Sequence, residues 1–196
     1  LGGGDRARVL CRPYAAGCGA PRVEAELMRV GLLSDTHDRL PAVEALVREF
    51  MAREVSFVLH AGDFCAPFSL RPFIAHNVAL AGVFGVNDGD HAGLRLAAAK
   101  GMGMEIFEAP HSLVLGDKKV LLVHELGEAL DGSILAHDIV VHGQAHVAST
   151  ATREQTLLVN PGEACGWLHG TPSAAILDLE TLKVESIILP AAEWTR

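Results

Sequence analysis

Aromatic residues are scarce in this chain, 5% of 196 positions, and Lys and Arg number 16 against 24 Asp and Glu, a net charge of −8. Both a basic face that tracks phosphates and stacking platforms that hold bases are therefore lacking, which excludes stable nucleic-acid binding as a main role. A nucleic acid remains admissible only as a substrate met at one site. Cysteine is equally sparse: Cys11, Cys18, Cys65 and Cys165 form no CxxC pair and no dense framework. Such spacing suits free thiols in a reducing compartment, and a cytoplasmic protein is expected. Nowhere do about 18 apolar residues run consecutively, so no membrane span is expected. What is plentiful is hydrophobic content, 49%, with 20% charged residues. A chain of this length and composition suits one globular domain that buries roughly 70% of its unfolded surface without staples.

Residues 1–27 differ from the rest. Gly2, Gly3, Gly4, Gly17 and Gly19 combine with Pro13 and Pro21, and no period of two or 3.6 is sustained. A flexible extension is expected there, with the domain running from Met28 to Arg196.

Beyond it, the pattern alternates. Val30 to Leu33 reads as a buried strand. After it, Pro41 in a first turn and Val43, Leu46, Val47 and Phe50 at i, i+3, i+4, i+7 predict a helix ending near Arg53, with Asp38 as its cap. Strands are predicted over Val55–Leu59 and Val78–Phe84, with helical turns over Pro67–His76 and a helix from His91 to about Lys100. This is the β-α-β-α-β order of right-handed crossovers. The second half is strand-rich. Ser112–Leu115 and Lys119–His124 flank a Gly116 turn as a hairpin, and short strands are predicted at Asp138–His142, Val147–Thr152, Thr156–Asn160, Ala174–Leu179 and Val184–Leu189. The expected fold is α/β, two stacked sheets flanked by helices.

Chemistry concentrates where strands stop. Val30 to Leu33 breaks into Ser34, Asp35, Thr36, His37 and Asp38. In extended backbone, side chains two apart point the same way, so Asp35 and His37 would present a carboxylate and an imidazole to one point. Alone, such a pair is more often a capping Asp beside a surface His. Four further strands end similarly, at Asp63, at the loop Gly85–Asp88, at His124 and at Gly143–His146. Aligned strands would gather these groups on one rim. His60 and His142 also lie at strand ends and read as hydrogen-bonded core histidines, whereas His76, His91, His111, His137 and His169 read as surface or capping residues.

The ordered set Asp-x-His, Gly-Asp, a Gly-Asn-x-Asp-like loop, a lone His after a strand, and Gly-x-x-His resembles the calcineurin-like metallophosphoesterase superfamily. The closer likeness is to its small bacterial and archaeal phosphodiesterase branch, which shares its fold with the retromer subunit Vps29. Supporting phrases are HAGDF at His60–Phe64 and Asn160-Pro161-Gly162, similar to the branch's Asn-Pro-Gly-Ser. The resemblance implies a four-layer sandwich of two mixed sheets with helices outside. It also implies a pair of divalent cations sharing one carboxylate, and a phosphoester substrate.

Carried over by position, the resemblance implies a complete first metal site of Asp35, His37, the bridging Asp63 and His146. The second departs from the pattern. Val86 stands where the family has an Asn ligand, and Gln144 stands where it has a His, leaving His124 and the shared Asp63. Valine offers no lone pair, and an amide oxygen is a weaker ligand than imidazole. Asn87 takes over only if the loop slips by one residue. Asn87 also occupies the place of the family's catalytic His, so no general acid for the leaving group is evident. Glu125 stands where the branch commonly has Gly.

Two functions from different classes follow. One is a divalent-metal phosphodiesterase or small-molecule phosphatase with a degenerate second site. The other is a metal-binding scaffold of the same fold, catalytically weak or inactive. The first is preferred because four ligands are complete. Carboxylate and imidazole donors without thiolate point to manganese, with iron and zinc as alternatives. A second copy of the chain or another protein remains open as partner.

Overall fold

The computed structural model describes residues 22–23, 29–55, 57–190 and 194. Of the expected extension, only β1 (Arg22–Val23) is described, and the remainder of residues 1–27 lies outside the described residues. The first half runs β2 (Arg29–Leu33), α1 (Leu40–Ala52), β3 (Phe57–His60), a 3-10 turn at Pro67–Leu70, α2 (Arg71–Ala75), β4 (Ala79–Val83), α3 (His91–Ala98) and β5 (Met104–Phe107). The second runs β6 (His111–Leu115), β7 (Lys118–Leu122), α4 (Asp131–Leu135), β8 (Ile139–Val141), β9 (Ser149–Arg153), β10 (Thr156–Asn160), β11 (Ser173–Asp178) and β12 (Val184–Ile188).

These strands form two mixed six-stranded sheets, ordered β12-β11-β2-β3-β4-β5 and β1-β6-β7-β8-β10-β9. In the first, β2, β3, β4 and β5 are parallel, while β11 returns antiparallel to β2 with Ala175 opposite Leu32. In the second, β6 and β7 make the expected hairpin, and β7, β8 and β10 are parallel.

Strand alternation divides the apolar residues between layers. Val30 and Leu32 of β2, Phe57 and Leu59 of β3, and Ala81 and Val83 of β4 meet Leu113, Val120, Leu122, Ile139 and Val159 between the sheets. The alternate residues Leu33, Val58 and Leu80 face outward onto Val43, Leu46, Val47 and Phe50 of α1, Phe73 of α2 and Leu94 of α3. Gly31 belongs to this outward face, where a Cβ would meet the Phe50 ring at 3.0 Å, so its absence lets α1 seat closely. On the far side, Leu121, Val123 and Val140 pack under Ile134 of α4. Two mixed sheets flanked by helices is the architecture expected.

One expectation needs correction, and two elements lie outside the sequence reading. Asp38 does not cap α1: its carboxylate accepts from the Ala66 N–H at 2.9 Å, and no side chain caps the helix. Strand β5 was not anticipated, because a four-residue edge strand after Gly101 and Gly103 carries too little alternation to be seen. Nor was α4, whose five residues are shorter than two helical turns and show no period.

The parallel arrangement has one consequence for chemistry. The carboxyl ends of β2, β3 and β4 in one sheet and of β7 and β8 in the other open onto the same edge of the sandwich.

Candidate metal centre

Strand β2 stops at Leu33, and the backbone then leaves the extended region: Asp35, His37 and Asp38 have φ of 54°, 37° and 58°. The expected convergence of Asp35 and His37 occurs, but by a left-handed turn and not by strand alternation. The turn zips against the loop after β3. The N–H groups of Asp35, His37 and Asp38 donate to the carbonyls of Gly62, Asp63 and Phe64 at 3.0, 3.1 and 3.3 Å. Of eleven non-glycine residues with positive φ among the described residues, seven lie here: Asp35, His37, Asp38, Asp63, Cys65, Gln144 and His146. Each left-handed non-glycine costs of order 1 kcal/mol, and such residues gather where function requires side chains to be aimed.

Asp35 and Asp63 are buried, and with His37 they bring ligand atoms within 4.8 Å of one another. His37 Nε2 lies 3.8 Å from Asp35 Oδ1 and 3.5 Å from Asp63 Oδ2. His146 Nε2 stands 3.3 Å from the same Asp35 oxygen, and its ring stacks on His37 at 5.2 Å. His124 Nε2 stands 3.4 Å from Asp63 Oδ2, while its Nδ1 lies 2.7 Å from the Ala61 carbonyl. Asp35 and Asp63 thus link all five residues of the expected ligand set into one cluster, with His37 between them, His146 beside Asp35 and His124 beside Asp63.

The polar inventory at that point is unbalanced. Asp35 Oδ1, His37 Nε2 and His124 Nε2 are buried without a hydrogen-bond partner. Orphaned atoms of this kind are rare in folded proteins and call for an explanation. A cation among them supplies it: the donors are carboxylate oxygens and imidazole nitrogens, the set that suits manganese, iron or zinc.

In the protein alone, these groups balance one another's charge. Burial pushes the Asp35 carboxyl above its ordinary value, against the Ser34 hydroxyl that donates to it at 2.5 Å. Asp63 goes the other way: burial opposes ionisation, but His124 and the Asn87 donors hold it well below the usual carboxylate range. His124 is raised to about 9, since Asp63 and the Ala61 carbonyl outweigh its burial.

The second half of the centre is arranged differently. Val86 is 71% exposed and turned away, while Asn87 donates to both oxygens of Asp63, from its backbone N–H at 2.8 Å and its amide at 2.8 Å. Gln144 is exposed on a residue with φ of 63° and is not drawn into the cluster. Gly85 permits the approach of this loop, because a Cβ there would collide with the Asp63 carboxylate. Glu125 and Glu128 form a capping box on the turn after His124, with Glu128 also accepting the His124 N–H at 3.0 Å.

His60 is buried, flanked by Thr36 and the Gly62 N–H and stacked on Phe64, the core role expected of it. Residues without an assigned role also shape the centre. Asp88 accepts from the N–H groups of Asp63, Gly85 and Cys65 at 3.1, 2.8 and 2.6 Å, tying two loops together. Cys165 offers its thiol within 4.8 Å of His37 and His146, and burial pushes that thiol up to about 12. Glu163 receives His146 Nδ1 at 2.9 Å. The available signal was its place after Asn160-Pro161-Gly162, where the resembling motif has Ser.

The family model for the calcineurin-like phosphoesterase superfamily domain matches residues 28–182. The chain belongs to this superfamily. Phosphodiesterase MJ0936 of Methanocaldococcus jannaschii is 31% identical over 165 residues, which span 83% of this chain and 99% of that protein. Among solved structures, an archaeal phosphodiesterase superposes with a TM-score of 0.77 at 31% identity, over 83% of this chain and all of the other. Vps29 of Cryptosporidium parvum shares the fold at a TM-score of 0.55 and 21% identity, over 82% of this chain and 96% of that one. The likeness to the small phosphodiesterase branch is therefore found in sequence and in fold.

Proposed function

We propose that this calcineurin-like phosphoesterase is a divalent-metal phosphodiesterase or small-molecule phosphatase. Its tight cation is held by Asp35, His37, Asp63 and His146, and a weaker one by Asp63 and His124. Manganese is the first choice, with iron and zinc as alternatives, because the proposed ligands are carboxylate oxygens and imidazole nitrogens. The observation that carries this reading is the convergence of three buried orphan atoms, on Asp35, His37 and His124, at the meeting point of five strand ends.

When bound, such ions supply Lewis-acid stabilisation of the phosphoryl oxygens and an acidified water. The chain itself supplies position. Asp63, shared by both halves, is held ionised by His124 and Asn87 and stands ready to bridge. The Asn87 amide, exposed at the rim, can donate a hydrogen bond to a phosphoryl oxygen but has no proton to give a departing alkoxide. Substrates with good leaving groups, aryl or otherwise activated phosphodiesters, are thereby favoured. Free thiols at Cys65 and Cys165 suit a cytoplasmic setting.

A second reading, a metal-binding scaffold docking another protein, is favoured by Val86, which has no lone pair to offer, and by the exposure of Gln144, which together leave the second half two ligands short. Elemental analysis of protein prepared with manganese, with hydrolysis of bis(4-nitrophenyl) phosphate, separates the two. The enzyme reading expects one ion per chain retained through dialysis and metal-dependent release of nitrophenol. A retained ion without any phosphoester hydrolysis supports the scaffold, and failure to retain any divalent ion overturns both metal assignments.

A further inference from the structure

Glu163 is a buried carboxylate, its side chain 1% exposed, and every contact it makes is with the loops around the centre. Its Oε2 lies 2.9 Å from His146 Nδ1 and accepts the Leu168 N–H at 3.0 Å. Its Oε1 accepts the His169 N–H at 2.5 Å, and the Cys165 thiol points to Oε2 at 3.5 Å. Its own carbonyl accepts from the Ser173 N–H at 2.9 Å, which locks the backbone that carries it. A buried carboxylate so surrounded by donors can only accept, so the imidazole nitrogen facing it must bear a hydrogen. In a neutral imidazole, that hydrogen on Nδ1 leaves the lone pair on Nε2, the nitrogen that stands 3.3 Å from the orphaned Asp35 Oδ1.

We propose that Glu163 is the positioning residue of the centre. It fixes His146 as the Nδ1–H tautomer with Nε2 aimed at the metal position, and it ties that orientation to the Cys165–His169 loop. The role is needed because His146 sits in a left-handed backbone, φ of 57°, on a loop whose neighbours Gln144 and Val147 are exposed. Besides Glu163, the ring is faced by the His37 imidazole, stacked at 5.2 Å, and by Asp35 Oδ1 at 3.3 Å. The same carboxylate pins the loop that places Trp167, 59% exposed, with its indole N–H 3.5 Å from the His37 carbonyl. Displacement of Glu163 is therefore felt on both sides of the cation position, at His146 and beside His37. Partners behind a metal-binding histidine typically contribute about 10–100-fold in metal affinity.

The inference rests on the metal reading above, but one of its tests does not. Long-range 15N–1H NMR of the metal-free protein, with His146 assigned through its loss in His146→Gln, is expected to show the Nδ1–H tautomer. Glu163→Ala is expected to mix the tautomers and to weaken manganese binding, measured calorimetrically, by about 10–100-fold. Glu163→Gln, which keeps a carbonyl oxygen for the Nδ1–H, is expected to hold the tautomer and lose less affinity than Glu163→Ala. An Nε2–H tautomer in the unsubstituted protein overturns the proposal. So does a Glu163→Ala protein that melts earlier yet keeps both tautomer and affinity, because Glu163 would then be structural only. If Glu163→Ala fails to fold, the unsubstituted tautomer and the Glu163→Gln affinity still decide. Should the unsubstituted protein bind no manganese, the metal reading falls while the tautomer still judges Glu163.

Discussion

The two halves of the centre are built from the same residue types and treated differently by the fold. Around Asp35, the inner atoms Asp35 Oδ1 and His37 Nε2 are left open while the outer ones are satisfied by protein: Ser34 on Asp35, Cys65 on His37, Glu163 on His146. Around Asp63, the carboxylate is already engaged by Asn87 at both oxygens, and the two positions that would complete a ligand set, Val86 and Gln144, look to solvent. The Asp35 side keeps two inner atoms open, whereas the Asp63 side keeps only His124 Nε2 open and commits its carboxylate to Asn87. A cation should therefore be held tightly on the Asp35 side and loosely on the His124 side.

The most severe way to break that comparison is His146→Ala. It is expected to strip the tight ion and to lower metal-dependent diester hydrolysis by roughly two to four powers of ten, since a Lewis acid is worth several kcal/mol in the transition state. Retention of one firmly bound ion in this variant would show that the halves had been ranked the wrong way round.

Completing the weaker half tests the same ranking from the other direction. Val86→Asn together with Gln144→His is expected to add a second ion that survives dialysis and to raise hydrolysis by about two powers of ten, the lower end of what a second Lewis acid supplies. The lower end is chosen because Val86 is 71% exposed and its loop must shift inward. Two firmly held ions in the unsubstituted protein would leave nothing to restore.

Histidines sharpen the contrast further. His60 and His124 both end strands, but His60 has contacts at both nitrogens, and burial pushes its pKa down to about 3. Its folded value lies below the unfolded one near 6.5, so the unfolded chain binds more protons between those limits. Its stabilising contribution is complete above pH 6.5 and is lost as pH falls, by roughly 2 kcal/mol between pH 7 and 5. Denaturant midpoints at the two pH values should show this, and His60→Gln should flatten the slope. An unchanged slope would exclude His60 as the source.

The smallest expected effect belongs to Asn87→Ala. It removes the amide donor but leaves the backbone N–H on Asp63, and a loss of about 1 kcal/mol in stability is expected for one hydrogen bond to a carboxylate at the exposed rim. The tight ion should be untouched on elemental analysis, and its loss would mean that Asn87 serves both halves.

Much of this was written along the chain. The apolar runs of β2, β3 and β4, each broken by Asp or Gly at its carboxyl end, specify strands and place Asp35, Asp63 and the Gly85–Asp88 loop on one edge. Period-two and 3.6 patterns are local properties that need no knowledge of partners. The family resemblance likewise rests on ordered local motifs. What the sequence could not determine is how side chains from separate strands are aimed. Asp35 and His37 meet through a left-handed turn that only hydrogen bonds to the loop after β3 make tolerable. That Asn87 and not Val86 faces Asp63 depends on Asp88 anchoring the loop through the N–H of its own Gly85 and those of the distant Asp63 and Cys65. Glu163 finds His146 across 17 positions only because β8 and β10 are adjacent and parallel. Orientation and pairing are properties of the assembled sandwich, since the energy that holds a side chain at an angle comes from whatever packs behind it, and that neighbour is remote in sequence.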